Sequence, residues 1–291
     1  MCDQDAFDEM MRYRRGPELS RREFGALGLG AGLTAFIPAH ADSVDTTGAD
    51  VLITTPAGSC DAYFVHPVKG RHPAVLMWPD IFGLRPAFKQ MATRLAGAGY
   101  SVLVVNPFYR LQKAPTSPEH ADFSNPDVRK LLTDEMSSLT PAVVVADAKS
   151  FIGWLDHQSA VDRKKKMAVT GYCMGGPFTI RAAAEFPDRV GAIASFHGAN
   201  LATNAPDSPH LLVAKMKAQA LIAIAASDDK NQPDAKDKLR AAFDAAHLPA
   251  EIEVYAGTMH GWCPIDARVY DHDQAEKAWA RMLVLFQRAL A

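Results

Sequence analysis

Residues 167–176 read MAVTGYCMGG, and this stretch decides the fold. Its first half is a short apolar run, as expected of a strand that is buried on both faces of a parallel sheet. Cys173 follows, with Gly171 two residues before it and Gly175 two residues after it. A nucleophile on a sharp strand-to-helix turn needs this spacing, because bulky side chains at the glycine positions would collide. The stretch therefore predicts a strand, a tight turn that carries a thiol, and a helix.

Strand-like and helix-like segments alternate on both sides of this stretch. After residue 41, the runs VLITTP and AYFVHP predict an opening hairpin. Apolar strand-like runs then recur among helical patterns, as PAVLMWPD, SVLVVN, VGAIASFHG, QALIAIAAS and IEVYAG. This alternation predicts an α/β fold with a mostly parallel, twisted sheet that is covered by helices on both faces. No linker-like segment divides residues 42–291, so we expect a single domain there. Residues 107–140 are rich in Pro, Asp and Ser and read as an extended, lid-like excursion.

The first 41 residues have the pattern of an export signal. Arg21 and Arg22 precede a Gly/Ala-rich apolar stretch, and Ala39-His40-Ala41 then forms a small-x-small cleavage site. The segment SRREF resembles a twin-arginine signal, which directs folded proteins across the bacterial inner membrane. We therefore expect residues 1–41 to be a signal peptide that engages the export machinery transiently, and the mature protein to be periplasmic or secreted.

Composition and cysteine spacing exclude several classes of function. The 291 residues are 48% hydrophobic and carry a net charge of −2, without the clustered basic face of a nucleic-acid or membrane-surface protein. The four cysteines form no CxxC pair and show no Cys/His ligand spacing, so we expect no structural zinc site. The chemistry inferred below calls for no metal or organic cofactor. An oxidising compartment would permit a Cys60–Cys263 disulfide, which the sequence leaves open.

Three reactive side chains follow strand ends in a telling order. Cys173 follows the run MAVTGY, Asp228 and Asp229 follow QALIAIAAS, and His260 comes shortly after IEVYAG, the last strand-like run. Ligands of such sheets bind beyond the carboxyl ends of the strands, and the order nucleophile, acid, histidine is that of α/β-hydrolases. We assign the acid to Asp229 because Pro233 fits the loop expected after it, and Asp228 is the alternative.

The histidine and the cysteine each have an alternative interpretation. His197 follows another strand and rivals His260, but it would reverse the order expected relative to the acid. Cys173 alone would also suit a buried core position, which is a common location for a free cysteine. The presence of an acid and a histidine at the expected places favours the catalytic interpretation.

A resemblance becomes specific when four motifs are taken together. The chain resembles the dienelactone hydrolase (carboxymethylenebutenolidase) family in the segments GYCMGG, PDIFGL, DDKNQP and MHGW. The resemblance implies that Cys173 attacks a lactone or ester carbonyl and that His260, oriented by Asp229, transfers the proton. It also implies an oxyanion hole formed by the backbone N–H groups of Met174 and Ile81, which agrees with the donors expected next to such a nucleophile.

The sequence departs from this family at the positions that contact thiol or substrate. A glutamate of the family interacts with the thiol, and Asp80 stands in its place, one methylene shorter. An arginine that binds a substrate carboxylate is replaced by Pro264, and a second family arginine has only an approximate counterpart in Arg110, directly after Tyr109. Trp262 is a candidate for an apolar pocket wall or for core packing.

The sequence predicts a hydrolase of small-molecule lactones or activated carboxylic esters that acts through a cysteine thioester. Thiolates are good nucleophiles near neutral pH and suit activated acyl groups. Two alternatives stay open at this point. One is a non-catalytic member of the fold that binds a ligand or a protein partner, and the other is a general esterase of small esters.

Overall fold

The structure is a computed structural model that describes residues 43–118, 121 and 123–291. The predicted export signal at residues 1–41 lies outside the described residues. Within them, eight strands form one sheet in the order β1-β2-β4-β3-β5-β6-β7-β8. The strands are β1 (Thr46–Thr55), β2 (Gly58–Pro67), β3 (Ala74–Trp78), β4 (Ser101–Val105), β5 (Met167–Tyr172), β6 (Val190–Phe196), β7 (Gln219–Ala225) and β8 (Ala250–Tyr255).

The sheet is antiparallel at one edge and parallel elsewhere. The predicted opening hairpin is present, since β1 pairs antiparallel with β2, and β2 pairs antiparallel with β4. All pairings from β4 through β3 to β8 are parallel. Every residue of β3, β4 and β5 is buried, which explains their uninterrupted apolar sequences. The predicted mostly parallel α/β fold is confirmed.

Seven helices accompany the strands in the part of the chain that the structure describes. They are α1 (Pro86–Gly97), α2 (Pro126–Ser137), α3 (Pro141–Asp156), α4 (Gly176–Glu185), α5 (Ala226–Asn231), α6 (Ala235–Ala245) and α7 (His272–Ala289). The first three begin at a proline, whose fixed φ and missing N–H suit the first helical position. The side chain of Asn125 accepts hydrogen bonds from the first turn of α2, and Thr140 does the same for α3.

Two apolar clusters cover the two faces of the sheet. Leu76 and Trp78 of β3 belong to one cluster, and Val75 and Met77 belong to the other, because successive side chains of a strand point to opposite faces. Helices α3, α4 and α6 pack on the first face, and α1 and α7 pack on the second.

This arrangement separates the two cysteines considered for a disulfide. Cys60 lies in the cluster on one face of the sheet and Cys263 lies in the cluster on the other. Both are free thiols, and burial raises the pKa of each above its ordinary value. The Cys60–Cys263 bridge that the sequence left open is absent.

Two segments contain helices that the sequence did not predict. The 107–140 segment, read as an extended, lid-like excursion, contains the helix α2 (Pro126–Ser137). Its periodicity is weak because only Leu132 and Glu135 of this helix are buried. The aspartate segment after β7, read as a loop, forms the short helix α5. No helix among the described residues is long and apolar enough to span a membrane.

Candidate active site

Cys173 lies on a strained turn between β5 and α4. Its φ is +51°, in the left-handed region that L residues rarely adopt, and the residues Cys173–Gly175 form a single 3₁₀ turn. A Cβ atom added to Gly171 would lie 2.0 Å from the carbonyl oxygen of Gly175. A Cβ atom on Gly175 would lie 2.7 Å from the carbonyl oxygen of Trp78. Both glycines are therefore required for the turn to form and for β3 to approach it.

His260 shares a hydrogen bond with the thiol of Cys173. Its Nε2 atom lies 3.0 Å from the Sγ atom, and both residues are buried. The backbone N–H of His260 donates to the hydroxyl of Ser227 at 2.9 Å, which fixes the loop after β8 against the start of α5. Gly261, at φ +95°, then turns the chain away. The structure thus brings together a thiol and an imidazole that are 87 positions apart in the sequence.

The carboxylate beside the imidazole belongs to Asp228, which corrects the assignment to Asp229. Nδ1 of His260 lies 2.9 Å from Oδ2 and 3.0 Å from Oδ1 of Asp228. Asp229 points elsewhere and accepts a hydrogen bond from Nζ of Lys236 at 2.6 Å. The reason is the helix α5, which begins at Ala226 and carries the two neighbouring aspartates in different directions.

His197, the rival histidine, lies behind His260. Its ring is fully buried and packs edge-to-face against the ring of His260, with centroids 5.2 Å apart. Burial, and then the neighbouring His260, lower the pKa of His197 well below its ordinary value, so the ring is held neutral. The hydrogen bond to Sγ is made by His260, and His197 is part of the packing that supports that ring.

Trp262 is a core residue in this structure. Its indole is fully buried, lies 5.3 Å from the ring of His197 and stacks on Tyr255 at 5.2 Å. Trp78 is also fully buried and packs against Phe178. Of the two interpretations of Trp262 that the sequence allowed, the packing observed corresponds to the core role.

The expected oxyanion-hole residues flank the turn Cys173–Gly175, which we call the elbow. Met174 is the second residue of the 3₁₀ turn, where the first N–H groups of a helix have no acceptor within it. Ile81 lies just beyond β3, whose last residue Trp78 contacts the elbow at Gly175. In the loop after β3, Phe82 and Gly83 donate their N–H groups to Asp80.

The remaining sequence candidates are engaged with other partners. Arg110 donates from Nη1 and Nη2 to the two carboxylate oxygens of Asp147, each at 2.7 Å, and Tyr109 donates to the same carboxylate at 2.8 Å. Asp80 is held by two hydrogen bonds from Arg85, at 2.7 and 2.9 Å. Sequence reasoning missed Arg85, because its only visible signal was a basic residue directly before Pro86. No group of three or more His, Cys, Asp or Glu side chains suited to a metal ion occurs among residues 43–118, 121 and 123–291.

The chain is similar to known proteins over most of its length. The sequence model of the dienelactone hydrolase family matches residues 60–290. An Escherichia coli K12 protein named "Putative carboxymethylenebutenolidase" is 25% identical over 240 residues, covering 81% of this chain and 85% of its own length. A Bradyrhizobium protein named "Probable 2-oxo-3-(5-oxofuran-2-ylidene)propanoate lactonase" is 28% identical over 244 residues, covering 80% and 91%.

A solved structure shows the same fold. The crystal structure of a "Putative Dienelactone Hydrolase" from Klebsiella pneumoniae superposes with a TM-score of 0.71 and 23% identity, covering 84% of this chain and 99% of that one. The family match covers most of the chain, and the sheet has the fold of this solved structure. The chain therefore belongs to the dienelactone hydrolase family, and it is a hydrolase that acts on ester or lactone bonds.

Proposed function

We propose that the protein hydrolyses small-molecule lactones or activated carboxylic esters through a covalent thioester on Cys173. The observation that carries the proposal is the 3.0 Å distance between Sγ of Cys173 and Nε2 of His260, with Asp228 at 2.9 Å from Nδ1 of the same ring. The nucleophile and the orienting carboxylate are thus each within hydrogen-bond reach of the base, which is the arrangement that activated nucleophiles require.

The reaction proceeds in two half-reactions. His260 accepts the thiol proton, Sγ bonds to the carbonyl carbon, and the carbonyl oxygen becomes an oxyanion that accepts hydrogen bonds from the N–H groups of Met174 and Ile81. When the oxyanion collapses, the carbon–oxygen bond to the alcohol or enol breaks, and His260 donates its proton to the leaving oxygen. Water then loses a proton to His260 and attacks the thioester, and the carboxylic acid leaves as Cys173 regains the proton.

The charges around the site favour substrates without an obligatory carboxylate. Arg110 is bound to Asp147, Arg85 is bound to Asp80, and Pro264 occupies the position where the family resemblance implies a carboxylate-binding arginine. A guanidinium that already pairs with a protein carboxylate gains little by exchanging it for a substrate carboxylate. We therefore propose neutral lactones and simple activated esters as the first substrates to examine.

A panel of lactones and p-nitrophenyl esters tests the proposal with three proteins. The wild type is expected to hydrolyse at least one member, and Cys173→Ala is expected to lose roughly 1,000-fold or more in kcat, because the proposed mechanism forms the acyl intermediate on this thiol. Cys60→Ala is the matched control, since it removes a buried thiol outside the site. Full activity in Cys173→Ala would refute the proposal and favour a general esterase with another nucleophile. No turnover in the wild type would favour a binding protein.

We also propose that residues 1–41 direct export by a twin-arginine route. The support is the sequence pattern of Arg21-Arg22, an apolar stretch and Ala39-His40-Ala41. Cell fractionation of the full chain tests it. The wild type is expected in the periplasmic or secreted fraction, and a variant with Arg21 and Arg22 both changed to Lys is expected to stay inside the cell. Equal distribution of the two proteins would contradict the proposal.

A further inference from the structure

Arg85 joins two carboxylates that belong to different loops. Its Nη1 and Nη2 atoms donate to Asp80 at 2.7 and 2.9 Å, and its Nε and Nη2 atoms donate to Asp266 at 2.7 and 3.0 Å. Nη1 also donates to the carbonyl oxygen of Gly83 at 3.3 Å. A guanidinium has five N–H groups, so every donor of Arg85 has an acceptor within the protein. We name this unit, Arg85 with Asp80 and Asp266, the Arg85 bridge.

The Arg85 bridge connects the two loops that supply the proposed chemistry. Asp80 organises the loop after β3, because its Oδ1 accepts the N–H of Phe82 at 2.9 Å and its carbonyl oxygen accepts the N–H of Gly83 at 3.0 Å. Ile81, the proposed oxyanion donor, lies inside this turn. Asp266 lies on the segment that leads from His260 to α7. The two bridged carboxylates are 186 positions apart in the sequence, as the numbers 80 and 266 show.

The bridge is enclosed enough to hold its geometry. The side chains of Arg85 and Asp80 are only 13% and 8% exposed, whereas Asp266 is 43% exposed. Burial alone would lower the pKa of Arg85, but the Asp80 and Asp266 carboxylates outweigh burial and raise it, so the guanidinium stays charged. The ring of Phe88 lies 4.8 Å from the guanidinium carbon and restricts it further. Bidentate pairs of this kind fix orientation as well as distance.

We propose that Arg85 is a positioning residue that sets the Ile81 N–H against the Cys173–His260 pair by tying the loop after β3 to the loop after β8. Asp80 is accordingly a structural support of the oxyanion loop in this chain and takes no part in activating the thiol, since Arg85 and the Phe82 N–H engage its carboxylate oxygens. The inference about the oxyanion donor rests on the proposed function. The connection between the two loops does not, and it is tested separately.

Three substitutions in the full chain test the bridge by kinetics. Arg85→Met removes all five donors, and Arg85→Lys keeps the charge but not the two-sided geometry. Arg94→Met is the matched control within α1, the helix that Arg85 directly precedes, because Arg94 makes a bidentate pair with Glu276, packs over Trp279 and is 43% exposed. We expect Arg85→Met to lower kcat for a p-nitrophenyl ester at least 10-fold with KM within threefold, Arg85→Lys to lie between it and wild type, and Arg94→Met to keep wild-type kcat.

Two readouts do not depend on turnover. Hydrogen exchange of residues 80–83 and 260–266 is expected to accelerate together, at least 10-fold, in Arg85→Met and to be unchanged in Arg94→Met. The pH dependence of Cys173 alkylation by iodoacetamide is expected to be the same in Asp80→Asn as in wild type. Exchange that changes in one loop only, or in neither, would overturn the bridge, even if the wild type showed no hydrolysis and the proposed function failed. An alkylation profile displaced in Asp80→Asn would overturn the structural assignment of Asp80, and wild-type kcat in Arg85→Met would overturn the positioning role.

Discussion

The adjacent residues Asp228 and Asp229 allow a direct test of the carboxylate assignment. Asp228→Asn keeps the size of the side chain and removes the charge that faces Nδ1 of His260 at 2.9 Å. A hydrogen bond to a charged group contributes about 1.5–3 kcal/mol, and about 1.4 kcal/mol corresponds to a factor of ten in rate. If this bond stabilises the imidazolium that forms in the transition state, kcat is expected to fall about 10- to 150-fold.

Asp229→Asn is the matched control. It removes the pair with Lys236, whose members are 25% and 24% exposed, so screening by solvent leaves little energy to lose. We expect kcat within about twofold of wild type. Steady-state kinetics on an activated ester, with melting temperatures to confirm that each variant is folded, give both numbers. An Asp229→Asn loss as large as that of Asp228→Asn, or wild-type kcat in Asp228→Asn, would refute the geometric reasoning.

Three further predictions concern the support of the site. Gly171→Ala is expected to abolish activity and lower the melting temperature, because its Cβ would lie 2.0 Å from the Gly175 carbonyl oxygen, whereas Gly153→Ala, with nothing within 4 Å, is expected to preserve both. His197 has a pKa well below its ordinary 6.5 through burial and then through His260, so the unfolded chain binds its proton more readily. The contribution of neutral His197 to the free energy of unfolding is therefore fully present above pH 6.5, and it decreases below pH 6.5 by up to about 1.4 kcal/mol per pH unit. In urea unfolding between pH 7 and 5, His197→Phe is expected to show a smaller decrease of the free energy of unfolding with falling pH than wild type does. An equal decrease in the two proteins would contradict this. Reductant is expected to leave the melting temperature unchanged, because Cys60 and Cys263 are free thiols; a decrease would contradict their separation.

The elbow and the histidine could be read from the sequence because local constraints specify them. Gly171 and Gly175 are required by contacts within the turn itself, and an apolar strand must precede them. His260 follows the last strand of a parallel sheet, so topology alone places it at the edge that carries Cys173. The strand pattern was equally informative, because both faces of β3, β4 and β5 are buried.

The acid and the bridge could not be read in the same way. Choosing between Asp228 and Asp229 requires the direction of each side chain on α5, and the sequence of that segment suggested a loop. Arg85 is 181 positions away from Asp266 in the sequence, and neither local sequence indicates that the two side chains form a pair. Helix α2 was missed because its two buried positions give almost no apolar periodicity.

Mass spectrometry of the acid-quenched protein during turnover of p-nitrophenyl butyrate tests the central claim most directly. The account predicts that wild type carries a butyryl adduct on the peptide that contains Cys173, that hydroxylamine removes it, and that Cys173→Ala carries no adduct and releases no p-nitrophenol above background. Turnover in Cys173→Ala at the wild-type rate, with no adduct on Cys173 in either protein, would contradict it.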